Sequence, residues 1–213
     1  MGLRVYVLTR TVNRPKMFAR LRESVLAQQL SGEVVHIVHA ENEGAEYATG
    51  DVVIRGPRIL KNAERTAPWE LYNQRLLDAL GRLLRAGDYE PGWVAFIDDD
   101  DVFTSEKALS RAFLHAVDDN ALLVWKVERE NGRISPFDWP GNLGTDRGRV
   151  CWEGAAHHTA YLGYASIDGD GGADGRYWHQ LTEILPIIWV DEVMMRPQLS
   201  GRAGKGHGRR RDG

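Results

Sequence analysis

The sequence predicts an α/β domain in which a mostly parallel sheet is flanked by helices. Short apolar runs rich in β-branched residues alternate with longer segments whose apolar residues recur at helical spacing, a pattern typical of this class. The 213 residues are 43% hydrophobic and 27% charged, the composition of a folded globular chain. A chain of this length is expected to form one domain. We place it at residues 1–199, followed by a basic, glycine-rich tail at 200–213.

The individual elements follow from these patterns in order. Strands are expected at residues 4–9, 34–39, 51–55, 93–97, 121–127 and 187–194. Four helices are expected: one begins at Pro15 and continues to about Gln28, one begins at Pro68 and ends at Gly87, one is capped by Thr104 and one is capped by Asp174. Residues 130–172 are rich in glycine, aspartate and aromatic residues and give no clear element.

Charge and cysteine content limit the class of protein further. The net charge is −3, and because the tail carries five basic side chains and one aspartate (+4), the body carries −7. This division predicts a globule with a cationic arm that can meet an anion. The single cysteine, Cys151, excludes an internal disulfide framework. No signal-peptide pattern and no membrane-spanning apolar run are present, so we expect a cytoplasmic protein with no membrane partner.

Four adjacent aspartates, Asp98 to Asp101, follow the expected strand at 93–97. Their carboxylates repel one another, and a hard cation such as Mg²⁺ or Mn²⁺ would relieve that repulsion while holding substrate phosphates. A solvated acidic turn is the alternative. Ligands of such sheets bind at the carboxyl ends of the strands, and this is such an end.

A polar loop, TRTVNRP at residues 9–15, follows the first strand. Two hydroxyls, an amide and two guanidiniums precede a helix N-terminus, a combination that suits a nucleotide or its phosphates. A simple connecting loop is the alternative.

Four segments resemble family 2 glycosyltransferases, which have the GT-A fold. VYVLTRTVNRPKMFARLRESVLAQ resembles the family's opening, and WVAFIDDDDVF resembles its strand and DxD segment. PWELYNQRLLDAL resembles the helix that carries an asparagine near the nucleotide, and GGADGRYWHQL resembles the helix start that supplies the catalytic base. The resemblance implies a nucleotide-sugar-binding half at 1–101 and an acceptor half at 102–199.

The resemblance also implies a role for each matching residue. The nucleotide sugar, most often a UDP-sugar, would be bound by Thr9, Arg10, Thr11, Arg14, Glu41, Asn73 and Asp99. Asp100 would hold the Mn²⁺ or Mg²⁺ ion with help from Asp98, and His207 of the tail would complete the shell. Asp174 would be the base that deprotonates the acceptor hydroxyl in an inverting transfer, with Asp168 and Asp170 as alternatives.

Histidines and tryptophans elsewhere fit a core at least as well as a site. His157 and His158 are adjacent, so in an extended segment they point to opposite faces and at most one faces the cleft. Trp139 and Trp152 are candidate platforms for a sugar, although core packing is the better expectation for each.

The sequence is also compatible with other functions. FIDDDDV and GDGGAD satisfy the first and last motifs of haloacid-dehalogenase-like phosphatases. That first motif normally follows the first strand, however, and the last should follow an apolar strand, which residues 164–168 do not resemble. A nucleotidyltransferase and a catalytically inactive nucleotide-sugar-binding protein are further alternatives.

The arginine run at 209–211 makes nucleic acid one candidate acceptor. The sugar, the nucleotide base, the acceptor and the oligomeric state stay open.

Overall fold

A computed structural model describes residues 2–41, 45–56, 68–116, 119–129, 131–136, 150–167 and 173–198, of which 68–71 and 173 are described by their backbone alone. The described residues form these strands: β1 (Leu3–Thr11), β2 (Gly32–Ala40), β3 (Val52–Arg55), β4 (Trp93–Phe96), β5 (Asp101–Phe103), β6 (Leu122–Glu128), β7 (Ile134–Ser135), β8 (Ala155–His158) and β9 (Ile187–Pro197). They also form four α-helices: α1 (Pro15–Leu26), α2 (Pro68–Ala86), α3 (Ala108–Phe113) and α4 (Ala173–Thr182).

All of these strands belong to one sheet, in the order β3-β2-β1-β4-β8-β6-β9-β5, with β7 paired to β6. The strands β3, β2, β1 and β4 are mutually parallel, as predicted, and β9 runs parallel to β6. Because β8 is antiparallel to both of its neighbours, β4 and β6 point the same way. The carboxyl ends of β1, β2, β4, β6 and β9 therefore share one edge of the sheet.

Hydrophobic layers cover both faces of the sheet. On one face, Val5 and Val7 of β1 pack in one core with Leu21 of α1 and Leu109 of α3. On the other, Tyr6 and Leu8 pack in a second core with residues of α2 and α4, including Leu76 and Trp178. This alternation along β1 is what a strand buried on both faces requires.

Helix boundaries match the sequence signals in part. The structure confirms that Pro15 begins α1, and Gly87, with φ of +77°, follows α2 in the left-handed conformation that glycine adopts freely. The prediction that Thr104 caps α3 is wrong: α3 begins later, and the Thr104 hydroxyl instead donates to the carbonyls of Val193 and Met194 in β9.

Asp174 is also placed differently from its predicted capping position. The α4 helix begins at Ala173, so Asp174 lies inside its first turn, where its carboxylate still favours the positive end of the helix dipole. In the part of the chain that the structure describes, no helix combines the length and apolar character needed to cross a membrane.

Candidate donor and base site

The aspartates lie at the shared carboxyl edge, directly beside the end of β1. The register pairs Leu8 with Phe96, and the Ile97 amide donates to the Leu8 carbonyl at 3.0 Å. The two parallel strands therefore end side by side. The polar loop after β1 and the acidic turn after β4 come together, as the sequence predicts.

Arg10 holds Asp98 through two hydrogen bonds. Its Nε donates to Oδ1 at 2.9 Å and its Nη2 donates to Oδ2 at 2.8 Å, the two-point geometry that pairs a guanidinium with a carboxylate. Burial alone would raise the pKa of Asp98, but the Arg10 charge and hydrogen bonds outweigh it, and the pKa lies below its ordinary value. Asp98 is therefore ionised and paired.

Arg14 bridges the next two aspartates. Its Nη1 lies 3.0 Å from Oδ1 of Asp99 and 2.6 Å from Oδ2 of Asp100. The Thr11 hydroxyl donates to Asp99 Oδ2 at 2.9 Å. Asn13, with a φ of 53°, takes the left-handed conformation that asparagine tolerates and turns the loop between Thr11 and Arg14. Burial, reinforced by the Asp100 charge and opposed by Arg14, raises the pKa of Asp99 to about 6.

These contacts weaken the case for a metal ion that rests on charge repulsion. We expected a cation to relieve the repulsion among the four carboxylates, whereas in the structure Arg10 already pairs with Asp98, and Arg14 pairs with both Asp99 and Asp100. The two guanidiniums therefore relieve part of the repulsion without a metal ion.

A metal ion nevertheless fits at Asp100 better than at Asp98. The Asp100 side chain is 38% exposed and only its Oδ2 is bound by Arg14, whereas the Asp98 side chain is 24% exposed and Arg10 engages both of its oxygens. Among the residues that the structure describes, no three acidic, histidine or cysteine side chains are grouped as a complete metal site. Mg²⁺ commonly needs only one or two carboxylates when substrate phosphates supply the remaining ligands.

Gln198, which the sequence analysis missed, holds the acidic turn in place by donating hydrogen bonds to its backbone carbonyls. Its backbone amide donates to the Asp100 carbonyl at 2.7 Å. Its Nε2 lies 3.2 Å from the carbonyls of Asp99 and Asp101 and 2.8 Å from that of Met17. Three carbonyl partners fix which end of the amide is the nitrogen. Nothing in the local sequence distinguishes this glutamine, since only the pairing of β5 with β9 brings it here.

Asp174 lies at the same edge. Its Oδ1 accepts a hydrogen bond from the Gly175 amide at 2.8 Å, and burial raises its pKa above the ordinary value. The charges of Arg129 and Asp98 also act on it, which places Asp174 within electrostatic reach of the acidic turn. The alternative bases Asp168 and Asp170 lie outside the described residues.

Glu153 is a second group that the sequence analysis missed. It is only 5% exposed, and its Oε2 has no hydrogen-bond partner in the described structure. Burial, with the nearby charge of Asp98, raises its pKa to about 8. A carboxyl group within the otherwise apolar stretch VCWEGAA was a signal that could have identified it.

The side chains of the remaining predicted nucleotide ligands are buried. Thr9 is fully buried, and its hydroxyl is 2.9 Å from His36 Nε2, so it does not line the cleft in this structure. Glu41, 8% exposed, accepts a hydrogen bond from the Tyr72 hydroxyl at 2.6 Å, and Asn73 is 3% exposed on the same helix as Tyr72. The position of Thr9 does not fit the ligand role predicted for it, whereas Glu41 and Asn73 stay predicted ligands.

The histidine and tryptophan candidates pack in the core where they are described. Both ring nitrogens of His157 are within 2.8 Å of a partner, the Tyr177 hydroxyl and the His158 carbonyl. Trp152 is 6% exposed and its ring centroid is 4.8 Å from that of Phe96. Trp139 and His207 lie outside the described residues.

Comparison with known proteins gives likenesses in structure only. No family model matches the chain. No curated protein matches it in sequence. Solved glycosyltransferases match its fold: residues 1–349 of S. aureus TarS align with a TM-score of 0.64 at 15% identity, over 92% of this chain and 60% of that one. The same TarS fragment in complex with UDP-GlcNAc aligns with a TM-score of 0.61 at 14% identity, over 91% of this chain and 58% of that one.

A second glycosyltransferase gives the same result. The mannosyltransferase PcManGT from Pyrobaculum calidifontis, in complex with GDP-Man and Mn²⁺, aligns with a TM-score of 0.56 at 15% identity, over 93% of this chain and 58% of that one. The chain thus spans about 60% of the length of these three solved structures. The predicted architecture is confirmed: this chain has the GT-A-like fold of solved glycosyltransferases.

Proposed function

We propose that the protein is a metal-dependent glycosyltransferase that moves a sugar from a nucleotide-diphosphate sugar to an acceptor hydroxyl, with inversion. The observation that carries this proposal is the array in which Arg10 and Arg14 meet Asp98, Asp99 and Asp100 at the carboxyl ends of β1 and β4. On a GT-A-like fold, this edge is where a donor would bind.

The donor diphosphate would be recognised by the two arginines. A guanidinium binds phosphate oxygens with the same fork of N–H groups that it presents to a carboxylate. Arg14, half-buried and bound to two aspartates through one nitrogen, is positioned to exchange a carboxylate for a phosphate. Asp99, which the buried Thr11 hydroxyl holds in place, would contact the ribose side, and Glu41 and Asn73 the nucleoside.

Asp100 would be the protein's principal ligand for Mn²⁺ or Mg²⁺, with Asp98 assisting once Arg10 turns to the diphosphate. A bound divalent ion neutralises the negative charge that develops on the leaving nucleoside diphosphate. The complex of PcManGT with GDP-Man and Mn²⁺ supports this choice of cofactor. His207 of the tail stays a proposed additional ligand.

Asp174 would be the general base. As the acceptor oxygen attacks the anomeric carbon, the bond from that carbon to the phosphate oxygen breaks on the opposite side. The acceptor's O–H proton passes to the Asp174 carboxylate. The raised pKa of Asp174 makes it a better proton acceptor than an exposed aspartate. One displacement with one base inverts the configuration at that carbon.

A UDP-sugar is the favoured donor, since the TarS fragment was solved with UDP-GlcNAc and with UDP. The test is isothermal titration calorimetry of the full chain with UDP-GlcNAc, GDP-mannose, CDP- and dTDP-sugars, with Mn²⁺ and then with EDTA. We expect one nucleotide class to bind selectively with Mn²⁺ and only weakly with EDTA. Equal affinity in both conditions would remove the metal from the mechanism.

The phosphatase alternative is tested in parallel with p-nitrophenyl phosphate. It requires an apolar strand before the GDGGAD segment, yet residues 165–167 are not part of a strand. Robust phosphatase turnover without nucleotide-sugar binding would overturn the proposed function. Selective nucleotide-sugar binding with neither transfer nor donor hydrolysis would instead favour the inactive binding protein.

A further inference from the structure

Arg14 places one nitrogen between two carboxylates of the acidic turn. Its Nη1 lies 3.0 Å from Oδ1 of Asp99 and 2.6 Å from Oδ2 of Asp100. Arg10 differs, since it directs two nitrogens to the two oxygens of a single carboxylate, that of Asp98. The Arg14 contact therefore puts a positive charge against Asp100, the residue that is the proposed principal ligand of the divalent ion.

The two carboxylates are held by contacts that do not depend on Arg14. Oδ2 of Asp99 accepts a hydrogen bond from the Thr11 hydroxyl at 2.9 Å. The backbone of Asp100 is held by Gln198, whose amide donates to the Asp100 carbonyl at 2.7 Å. The acidic turn would therefore keep its shape if the Arg14 side chain moved away.

The Arg14 side chain is free to move while its backbone stays in place. The Arg14 carbonyl accepts a hydrogen bond from the Phe18 amide at 2.9 Å, which fixes the main chain at the start of α1. The side chain itself makes no capping hydrogen bond to this helix and is 35% exposed. Rotation of an exposed side chain is fast, so the guanidinium can leave the aspartates without disturbing α1.

The charges at this contact oppose the entry of a divalent ion. When Asp99 and Asp100 are both ionised, they carry two negative charges, and Arg14 already balances one of them. A divalent ion that entered beside Arg14 would exceed the remaining negative charge and would be repelled by the guanidinium at short range. Once Arg14 has moved away, the same ion balances both carboxylates. Arg14 and the ion therefore compete for the same two aspartates.

We propose that Arg14 is a counter-cation that keeps the divalent ion out of the donor-free enzyme, and that the donor diphosphate releases the ion site by binding the Arg14 guanidinium. Phosphate oxygens suit a guanidinium as well as carboxylate oxygens do, so the donor offers Arg14 an equivalent partner. The ion and the donor then bind together, and each binds weakly alone. This inference rests on the proposed function and concerns the regulation of the same site.

The first measurement is the binding of Mn²⁺ alone to the full-length chain, followed by the electron paramagnetic resonance signal of the free ion. We expect weak binding by the wild type. Two neutral replacements, Arg14→Gln and Arg14→Met, should each bind Mn²⁺ about tenfold more tightly, a gain of about 1.4 kcal/mol. Adding Asp100→Asn to Arg14→Gln should remove the gain, because it removes the proposed ligand.

The charge-matched control is Arg85→Gln. Arg85 is exposed in the last turn of α2, the helix that leads back to the start of β4, and so lies towards the opposite edge of the sheet from the acidic turn. This variant loses the same charge from the protein as Arg14→Gln. It should bind Mn²⁺ like the wild type.

Donor affinity should change in the opposite direction to Mn²⁺ affinity. Arg14→Gln loses a proposed diphosphate contact, so calorimetry with UDP-GlcNAc and Mn²⁺ should show weaker donor binding than in the wild type. A purely structural role of Arg14 would weaken the binding of both. UDP, corrected with protein-free Mn²⁺–UDP samples, should raise Mn²⁺ binding more in the wild type than in Arg14→Gln, whose ion site is already free.

The outcomes separate this inference from the proposed function. Equal Mn²⁺ affinity in the wild type and both Arg14 variants, an equal gain in Arg85→Gln, or a gain that survives Asp100→Asn would overturn the inference. An equal effect of UDP on the wild type and Arg14→Gln would overturn the release by the donor. In each case, donor binding by the wild type with Mn²⁺ would leave the proposed function standing. A gain in Mn²⁺ affinity without any donor binding by the wild type would instead overturn the proposed function and, with it, the donor's part in the release.

Discussion

Arg10 at the end of β1 grips Asp98 at the end of β4 through two hydrogen bonds of 2.9 and 2.8 Å. The pair joins two neighbouring parallel strands at their carboxyl ends, where the backbone ladder between them has ended. The pair therefore connects the two strands and also forms part of the candidate donor site.

Arg10→Ala should destabilise the protein. The substitution leaves the Asp98 carboxylate, whose side chain is 24% exposed, without its partner, and we expect the free energy of unfolding to fall. Loss of a partner for a buried charged group costs about 1–3 kcal/mol, and partial exposure places this case at the lower end. Urea denaturation measures the change. The double variant Arg10→Ala/Asp98→Asn should recover part of it. If the double variant is no more stable than Arg10→Ala, the pairing is not what stabilises this edge.

Gln198→Ala should loosen the acidic turn. The three carbonyls that Nε2 contacts would lose their donor, so we expect a lower free energy of unfolding, by about 1–3 kcal/mol, and weaker donor binding. Gln29→Ala is the matched control, because the Gln29 amide makes an exposed contact with Glu106. Denaturant melts and donor calorimetry check both effects. Unchanged donor affinity in a destabilised Gln198→Ala would limit Gln198 to a structural role.

Much of the fold could be predicted because its strands are apolar, β-branched runs bounded by turn residues. β5 and β8 escaped prediction for physical reasons. β5 begins with an aspartate, and β8 has the sequence AAHH, which lacks strand-favouring residues; both form because neighbouring strands pair with them. Thr104 looked like a cap because capping is a local pattern, yet its carbonyl partners lie 89 and 90 residues away.

The part of the candidate site that could be predicted is the part whose polar and charged residues lie next to one another in the sequence. The acidic turn and the TRTVNRP loop could be expected to meet, since parallel neighbours end at one edge. The pairing of Arg10 with Asp98, the clamp by Gln198 and the buried Glu153 depend on side-chain positions that no local pattern encodes.

The buried imidazole of His157 predicts a pH effect on stability. Burial lowers its pKa to about 4, so between about pH 6.5 and pH 4 the unfolded chain binds a proton that the folded protein does not. The free energy of unfolding should therefore fall as the pH is lowered through this window, with His157 contributing at most about 1.4 kcal/mol per pH unit. His157→Gln should reduce the slope measured by denaturant titration at several pH values. His115→Gln, at an exposed position, should leave it unchanged. An unaltered slope in His157→Gln would contradict this prediction.

Deleting residues 200–213 should leave the fold intact and weaken donor binding. The segment has five glycines in fourteen residues, so it can contribute little core, yet it carries a charge of +4. Thermal melting and donor calorimetry on the shortened chain test this. Unchanged donor affinity and turnover would make the tail a spacer, and a loss of nucleic-acid binding alone would assign it to the acceptor.

The most direct test of the account compares donor binding and transfer in two carboxylate variants. Asp100→Asn should abolish Mn²⁺-dependent binding of the nucleotide sugar, because it removes the proposed ligand of the ion that grips the diphosphate. Asp174→Asn should bind donor like the wild type but lose transfer by about 10²–10⁴-fold, since an amide cannot accept the acceptor's proton. Asp88→Asn, at an exposed position after α2, is the matched control and should change neither quantity. Full metal-dependent donor binding by Asp100→Asn would contradict the central claim that the acidic turn holds the donor. Full transfer by Asp174→Asn would move the base to another residue.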